Sequence, residues 1–170
     1  MTILYVLLVC IGLIPSPAKP AGNPNDIIVT ASVEELANGY LDWDEHHPNA
    51  LPAGKTRKIE MPTIDLYSAA GASIYFGANS ATNAAFLRTL PQGIATAKTD
   101  AVRPSLKETV EMFPQLKAQE AELMSDKAYT IVAVTYPNWD HCKEQNEAIA
   151  KLRERTAQTK VRIIEVRLHK

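Results

Sequence analysis

The sequence predicts an α/β protein built on a mixed sheet, and three observations carry that expectation. The run AYTIVAVTY, residues 128–136, is apolar and β-branched without a break, as a strand buried on both faces must be. Behind it, DHCKEQNEAIAKLRERT reads as a helix with Ile149 and Leu152 on its apolar side, and KVRIIEVRL as an alternating strand. Two strands joined by one helix make a parallel βαβ unit. Upstream, Thr63 to Tyr67 and Ala72 to Phe76 are short β-type runs around a Ser-Ala-Ala-Gly turn, which predicts an antiparallel hairpin. With 170 residues, 46% of them hydrophobic, the chain can bury these elements in one domain.

The elements follow in order from the N-terminus. MTILYVLLVCIGLIPSPAKPAG holds an apolar stretch from Ile3 to Ile14, shorter than the roughly 20 residues of a membrane span and followed at once by proline and small residues. Residues 1–18 therefore read as a secretory signal, with Ser16-Pro17-Ala18 as the small-x-small pattern and Lys19 as the mature N-terminus; Ala21/Gly22 is the second choice. No Lys or Arg precedes the apolar core, so an uncleaved anchor is the alternative, and it would be the chain's one contact with a membrane. Cys10 follows Leu-Val, where a lipobox needs a small residue, so no lipoprotein is expected. The expected location is periplasmic or secreted.

Residues 19–31 are a Pro/Gly/Asn linker that turns β-branched at its end, and 32–170 is the domain. Ser32 and Glu35 have capping-box spacing, and Val33, Leu36, Ala37, Tyr40 and Leu41 recur at helical intervals, so a short amphipathic helix follows. The polar stretch 42–58, punctuated by Pro48, Pro52 and Gly54, reads as an exposed loop. Asn79 or Ser80 caps a helix that ends at Pro91 and Gly93. Ser105 and Glu108 form a second capping box, and Pro114 either kinks the helix that follows or separates two short ones.

Charge and motifs exclude several function classes. Eighteen Lys and Arg against nineteen Asp and Glu give a formal charge of -1 without a basic block, so nucleic acid is not an expected partner. There is no nucleophile motif, no glycine-rich phosphate cradle and no internal repeat. His46 and His47 are adjacent and cannot both face one ion from a single turn, and His141 with Cys142 is only a pair, so neither makes a metal site. No cofactor is expected. Once the signal is removed, Cys142 is the only cysteine in a compartment that oxidises thiols. It is either buried and inert, or exposed and available to a second molecule.

The stretch AYTIVAVTYPNWDHCKEQNEAIAKL resembles the active-site strand, turn and helix of thioredoxin-like proteins, where an apolar strand runs into a Cys-x-x-Cys pair followed by Lys. Cys142-Lys143 matches the second cysteine and its lysine, which puts Trp139 at the first cysteine. MPTIDLYSAAGASIYFGANSATNAAFL resembles the other half of that fold, the Met61-Pro62-Thr63 step standing where the cis-proline corner faces the cysteine pair. The resemblance implies a three-layer sandwich around a mixed central sheet, with Pro62 cis, an isomer that costs proline only about 0.5–1 kcal/mol. Chain order is reversed relative to ordinary members. Either the fold is permuted, 59–91 supplying the hairpin half and 129–168 the cysteine half, or 62–77 is an extra N-terminal hairpin and the true one is missing. The first is preferred, because the second leaves a central strand edge bare.

Disulfide exchange in this family needs an attacking and a resolving cysteine, and Trp139 cannot attack, so dithiol oxidoreductase activity is not expected. The resemblance then implies a redox-inactive protein-binding or assembly module of the cell envelope. Its groove would lie between the Trp139 turn and the Pro62 corner, lined by Met61, Pro62, Thr63, Tyr136, Pro137, Trp139 and His141, and would take a protein or peptide partner. The alternative is a one-cysteine redox protein using Cys142. Its thiol stands at a helix start, with His141 and Lys143 adding positive charge, which favours thiolate.

Overall fold

A computed structural model describes residues 26–51, 55, 57–98, 102–125, 128–156 and 161–170. The segment expected to be a signal, 1–18, and the first part of the expected linker lie outside the described residues. Five strands form one mixed sheet: β1 (Ile27–Ser32), β2 (Thr63–Tyr67), β3 (Ser73–Gly77), β4 (Tyr129–Thr135) and β5 (Val161–His169), in spatial order β1-β5-β4-β2-β3. β1, β5 and β4 run parallel, and β2 and β3 continue the sheet antiparallel from β4. No helix among the described residues is long and apolar enough to cross a membrane.

Helices cover both faces. On one side α1 (Val33–His46), α3 (Leu106–Met112), α4 (Pro114–Lys117) and α5 (Glu120–Ser125) bring Leu36, Trp43, Val110, Leu116 and Leu123 onto Val132, Val134, Ile164 and Val166. On the other, α2 (Ser80–Thr89) and α6 (Lys143–Thr156) bring Leu87, Ile149 and Leu152 onto Ile131, Ala133 and Ile163. Successive residues of a strand point to opposite faces, so a central strand between two helical layers is buried at nearly every position and mostly apolar, as β4 is but for Thr130 and Thr135. That accounts for the unbroken run of β4.

Both expected capping boxes are present, at Ser32/Glu35 and Ser105/Glu108, and Asn79 caps α2 through the main-chain N–H of Thr82. The hairpin turns at Gly71, whose φ of 80° is a conformation that favours glycine. Pro114 opens α4 rather than kinking a longer helix, in the first-turn position where its missing donor costs nothing. The peptide bonds preceding Pro62 and Pro91 are cis, the second without a counterpart in the sequence reading.

Three expectations need correction. Residues 27–31, placed in the linker by composition, are most of an edge strand paired with β5, because Val29 and Ala31 drop into the core while Ile28 and Thr30 face out. The region 42–58 is not wholly an exposed loop. α1 continues to His46, Trp43 is buried, and Arg57 lies over the Tyr40 and Trp43 rings while bonding Asp44 at 2.8 to 3.1 Å. Finally, β5 is buried along nearly its whole length rather than alternating with solvent. Its charged positions are satisfied within the protein, Glu165 by Arg153 of α6 and by Arg167, and Arg162 at the Leu123 carbonyl.

Candidate functional site

The end of β4 decides where the site forms. Its last residue, Thr135, is buried, and the chain then leaves the sheet through Tyr136, Pro137 and Asn138 before a 3₁₀ turn at Asp140–Cys142 starts α6. Two main-chain bonds fold this exit into a compact knuckle, Trp139 N–H to the Tyr136 carbonyl at 3.1 Å and Cys142 N–H to the Trp139 carbonyl at 2.8 Å. The aromatic side chains pack across it edge to face, Trp139 with Tyr136 at 6.5 Å and with His141 at 4.8 Å between ring centroids. Trp139 nonetheless remains 43% exposed, and Pro137 and His141 are exposed beside it.

The Pro62 corner reaches the same place by strand pairing. β2 runs antiparallel to β4 with Thr63 opposite Val134, so the residue before β2 lies beside the residues after β4. Met61, Pro62, Ala78, Asn79 and Ser80 face Trp139 and His141 across a cleft of about 210 Å³. A larger, mostly apolar hollow of about 570 Å³ shares Met61, Ala78 and Trp139 with it and is lined further by Val33, Leu36, Ile59, Glu60, Tyr136 and Leu168. The exposed indole thus contributes to both hollows. The structure brings Met61, Pro62, Tyr136, Trp139 and His141 together, whereas Thr63 is buried in the sheet and Pro137 lines a further hollow of about 430 Å³ that Trp139 shares with Lys143 and Asn146.

Cys142 stands apart from this surface. Its side chain is 0% exposed, folded under the knuckle, where Sγ accepts the Tyr136 main-chain N–H at 3.4 Å. Burial pushes its thiol above the ordinary cysteine range, and the single Tyr136 hydrogen bond offsets only part of that. Such a sulfur is protonated at neutral pH and shielded from reagents, the opposite of what a nucleophilic cysteine needs.

Two residues that the sequence reading passed over form a buried amide pair between α2 and α6. Asn83 of α2 and Gln145 of α6 are both fully buried and bonded to each other at 2.5 Å. The sequence did carry a signal, since Asn83 stands four residues before Leu87 and Gln145 four before Ile149, each on the apolar stripe of its helix.

A further concavity, about 560 Å³, lies between α1 and α3, with Glu35, Asp42, Glu108 and Glu111 around Trp43 and Met112. Two of its carboxylates already have structural work. Glu35 and Glu108 close the two capping boxes, and Glu108 also accepts the Trp43 indole N–H at 3.0 Å and meets His47 at 3.0 Å. Among the described residues no group of three or more His, Cys, Asp or Glu side chains is placed to hold a metal ion.

Compared with known proteins, the chain matches no family model, no curated sequence and no solved structure.

Proposed function

We propose that this chain is an exported, thioredoxin-like protein without a dithiol site, which binds an extended segment of a protein partner in the cell envelope. The observation that carries the reading is the apposition of the Met61-Pro62 corner and the Trp139 knuckle across one cleft, from segments 77 residues apart in sequence. The strand pattern supports the fold assignment: a central strand leading into a turn and helix, a parallel neighbour after that helix, and a hairpin antiparallel on the other side. The early hairpin pairs antiparallel with the central strand itself, the place the family's own hairpin would take, which favours the permuted layout over an added N-terminal hairpin. Export rests on the apolar N-terminal segment.

An exposed indole that lines an apolar hollow and the proline-corner cleft is suited to recognition, because aromatic anchors supply large contact area at little entropic cost and dominate interface energetics. One hollow is mostly apolar and the other has Asn79, Ser80 and His141 at its rim, so side chains of alternating character on an extended peptide would be accommodated. The burial of Cys142 weighs against the one-cysteine redox alternative.

The experiment is a selection of random peptides on the mature protein, followed by mapping of one binder through backbone amide chemical shifts. Binding here predicts shift changes concentrated at Met61, Ala78 to Ser80 and Tyr136 to His141. Shifts confined to the α1/α3 groove, or failure of any peptide to be enriched, would refute the proposal.

A further inference from the structure

Asn83 and Gln145 occupy places where leucines would ordinarily pack. Between them the two amides reach four main-chain carbonyls: Asn83 Nδ2 lies 3.3 Å from those of Pro62 and Gly77, and Gln145 Nε2 lies 3.2 Å from that of Thr63 and 3.5 Å from that of Val134. The Gln145 main-chain N–H adds a bond to Ser80 Oγ at 3.1 Å. These partners belong to the proline corner, the end of β3, the end of β4 and the first turn of α2, which are the elements that bound the cleft. Gly77 is part of the arrangement, because a Cβ there would lie 2.0 Å from Asn83 Oδ1.

Hydrophobic side chains could fill this space, but they would fix no particular spacing. A buried polar group left without a bond is costly, and Asn83 Oδ1 has no hydrogen-bond partner among the described residues, so what the pair can select is the one arrangement of corner and strand ends in which its amide donors reach these four carbonyls. We propose that the Asn83–Gln145 amide pair sets the separation of the Pro62 corner from the Trp139 knuckle, making both residues positioning residues of the groove. The proposal rests on reading that cleft as the binding site, yet its test reads the cleft's geometry and needs no partner.

The variants are Gln145→Leu, Asn83→Ser and the exchanged pair Asn83→Gln/Gln145→Asn, each made in the full chain with 5-fluorotryptophan incorporated. The two indoles give separate fluorine resonances, assigned with Trp139→Phe, and Trp43 in the opposite layer reports whether the fold persists. Native maleimide labelling of Cys142, read by mass spectrometry on the peptide that contains it, measures opening of the knuckle. Gln145→Leu is expected to shift or broaden the Trp139 resonance and to speed Cys142 labelling by about tenfold or more, with Trp43 unmoved, and the exchanged pair to reverse part of both effects. An unchanged Trp139 resonance and labelling rate, with or without a lower thermal midpoint, would overturn the proposal. Should Gln145→Leu fail to fold, Asn83→Ser is read by the same two signals and the same two outcomes.

Discussion

Replacing Arg103 by Met tests how the hairpin half of the sheet is fastened to the α1 layer. The Arg103 and Asp65 side chains are only 6% and 7% exposed, and the guanidinium reaches the two carboxylate oxygens at 3.3 and 3.0 Å and Tyr40 Oη at 2.9 Å, while its carbon lies 3.7 Å above the Phe76 ring. Methionine keeps most of the apolar stem and removes every one of these bonds. It leaves the buried Asp65 carboxyl without its bonded counter-charge and with only the weaker influence of Arg57 and Ser73, a change that costs about 3–5 kcal/mol in comparable buried pairs. With a urea slope of about 2 kcal/mol per M, the unfolding midpoint should fall by roughly 2 M.

The sign of the pH dependence is a second check on the same variant. Burial already pushes the Asp65 carboxyl above its ordinary value against the pull of Arg103, and without Arg103 it goes higher still. A carboxyl whose folded pKa lies above its unfolded one is protonated in the native state first, so acid relieves its cost. The deficit of Arg103→Met should therefore narrow as the pH falls from neutral toward the ordinary carboxylate range, and Asp65→Leu/Arg103→Met should recover most of the loss. A loss under about 1 kcal/mol, or a deficit independent of pH, would refute the reasoning.

Two further predictions concern Glu165 and Cys142. Burial alone would raise the Glu165 carboxyl, but hydrogen bonds and charge from Arg167 and Arg153 hold it below the ordinary range. A depressed folded pKa stabilises the protein above the unfolded glutamate value of about 4.3 and ceases to do so as pH falls through the folded one. Glu165→Gln should thus be less stable than wild type by about 1–3 kcal/mol at neutral pH, with the gap closing in acid, as followed by urea titrations across pH. Asp26 shares Arg153 and is pushed up by burial, so the comparison with the variant isolates the Glu165 contribution that the wild-type acid limb alone would blur. Cys142 should resist native maleimide labelling and react fully after denaturation, and the protein should not reduce insulin disulfides; rapid native labelling would revive the one-thiol reading.

What the sequence made legible follows from where information is local. The βαβ unit stood out because β4 and its helix carry uninterrupted periodic patterns, and the caps at Ser32, Asn79 and Ser105 were readable because each involves residues three apart. β1 was missed as a strand because six residues with two outward positions look like the end of a linker until β5 is there to pair with them. The charged positions of β5 suggested solvent, but their partners come from α6 and from the Leu123 carbonyl, which no local pattern announces. The site divided in the same way. Trp139 and Pro62 could be named through a resemblance, whereas the Asn83–Gln145 pair spans 62 residues and joins two helices whose packing only the fold decides.

The central claim is that the exposed Trp139 indole binds rather than merely packs, and one variant separates the two. Trp139→Ala should weaken a selected peptide by about 2 kcal/mol or more, close to thirtyfold in Kd, while the thermal midpoint stays almost unchanged, because an indole 43% exposed has limited core contact to lose. Unaltered peptide affinity together with a stability loss of about 3 kcal/mol or more would show Trp139 to be a packed cap and contradict the account.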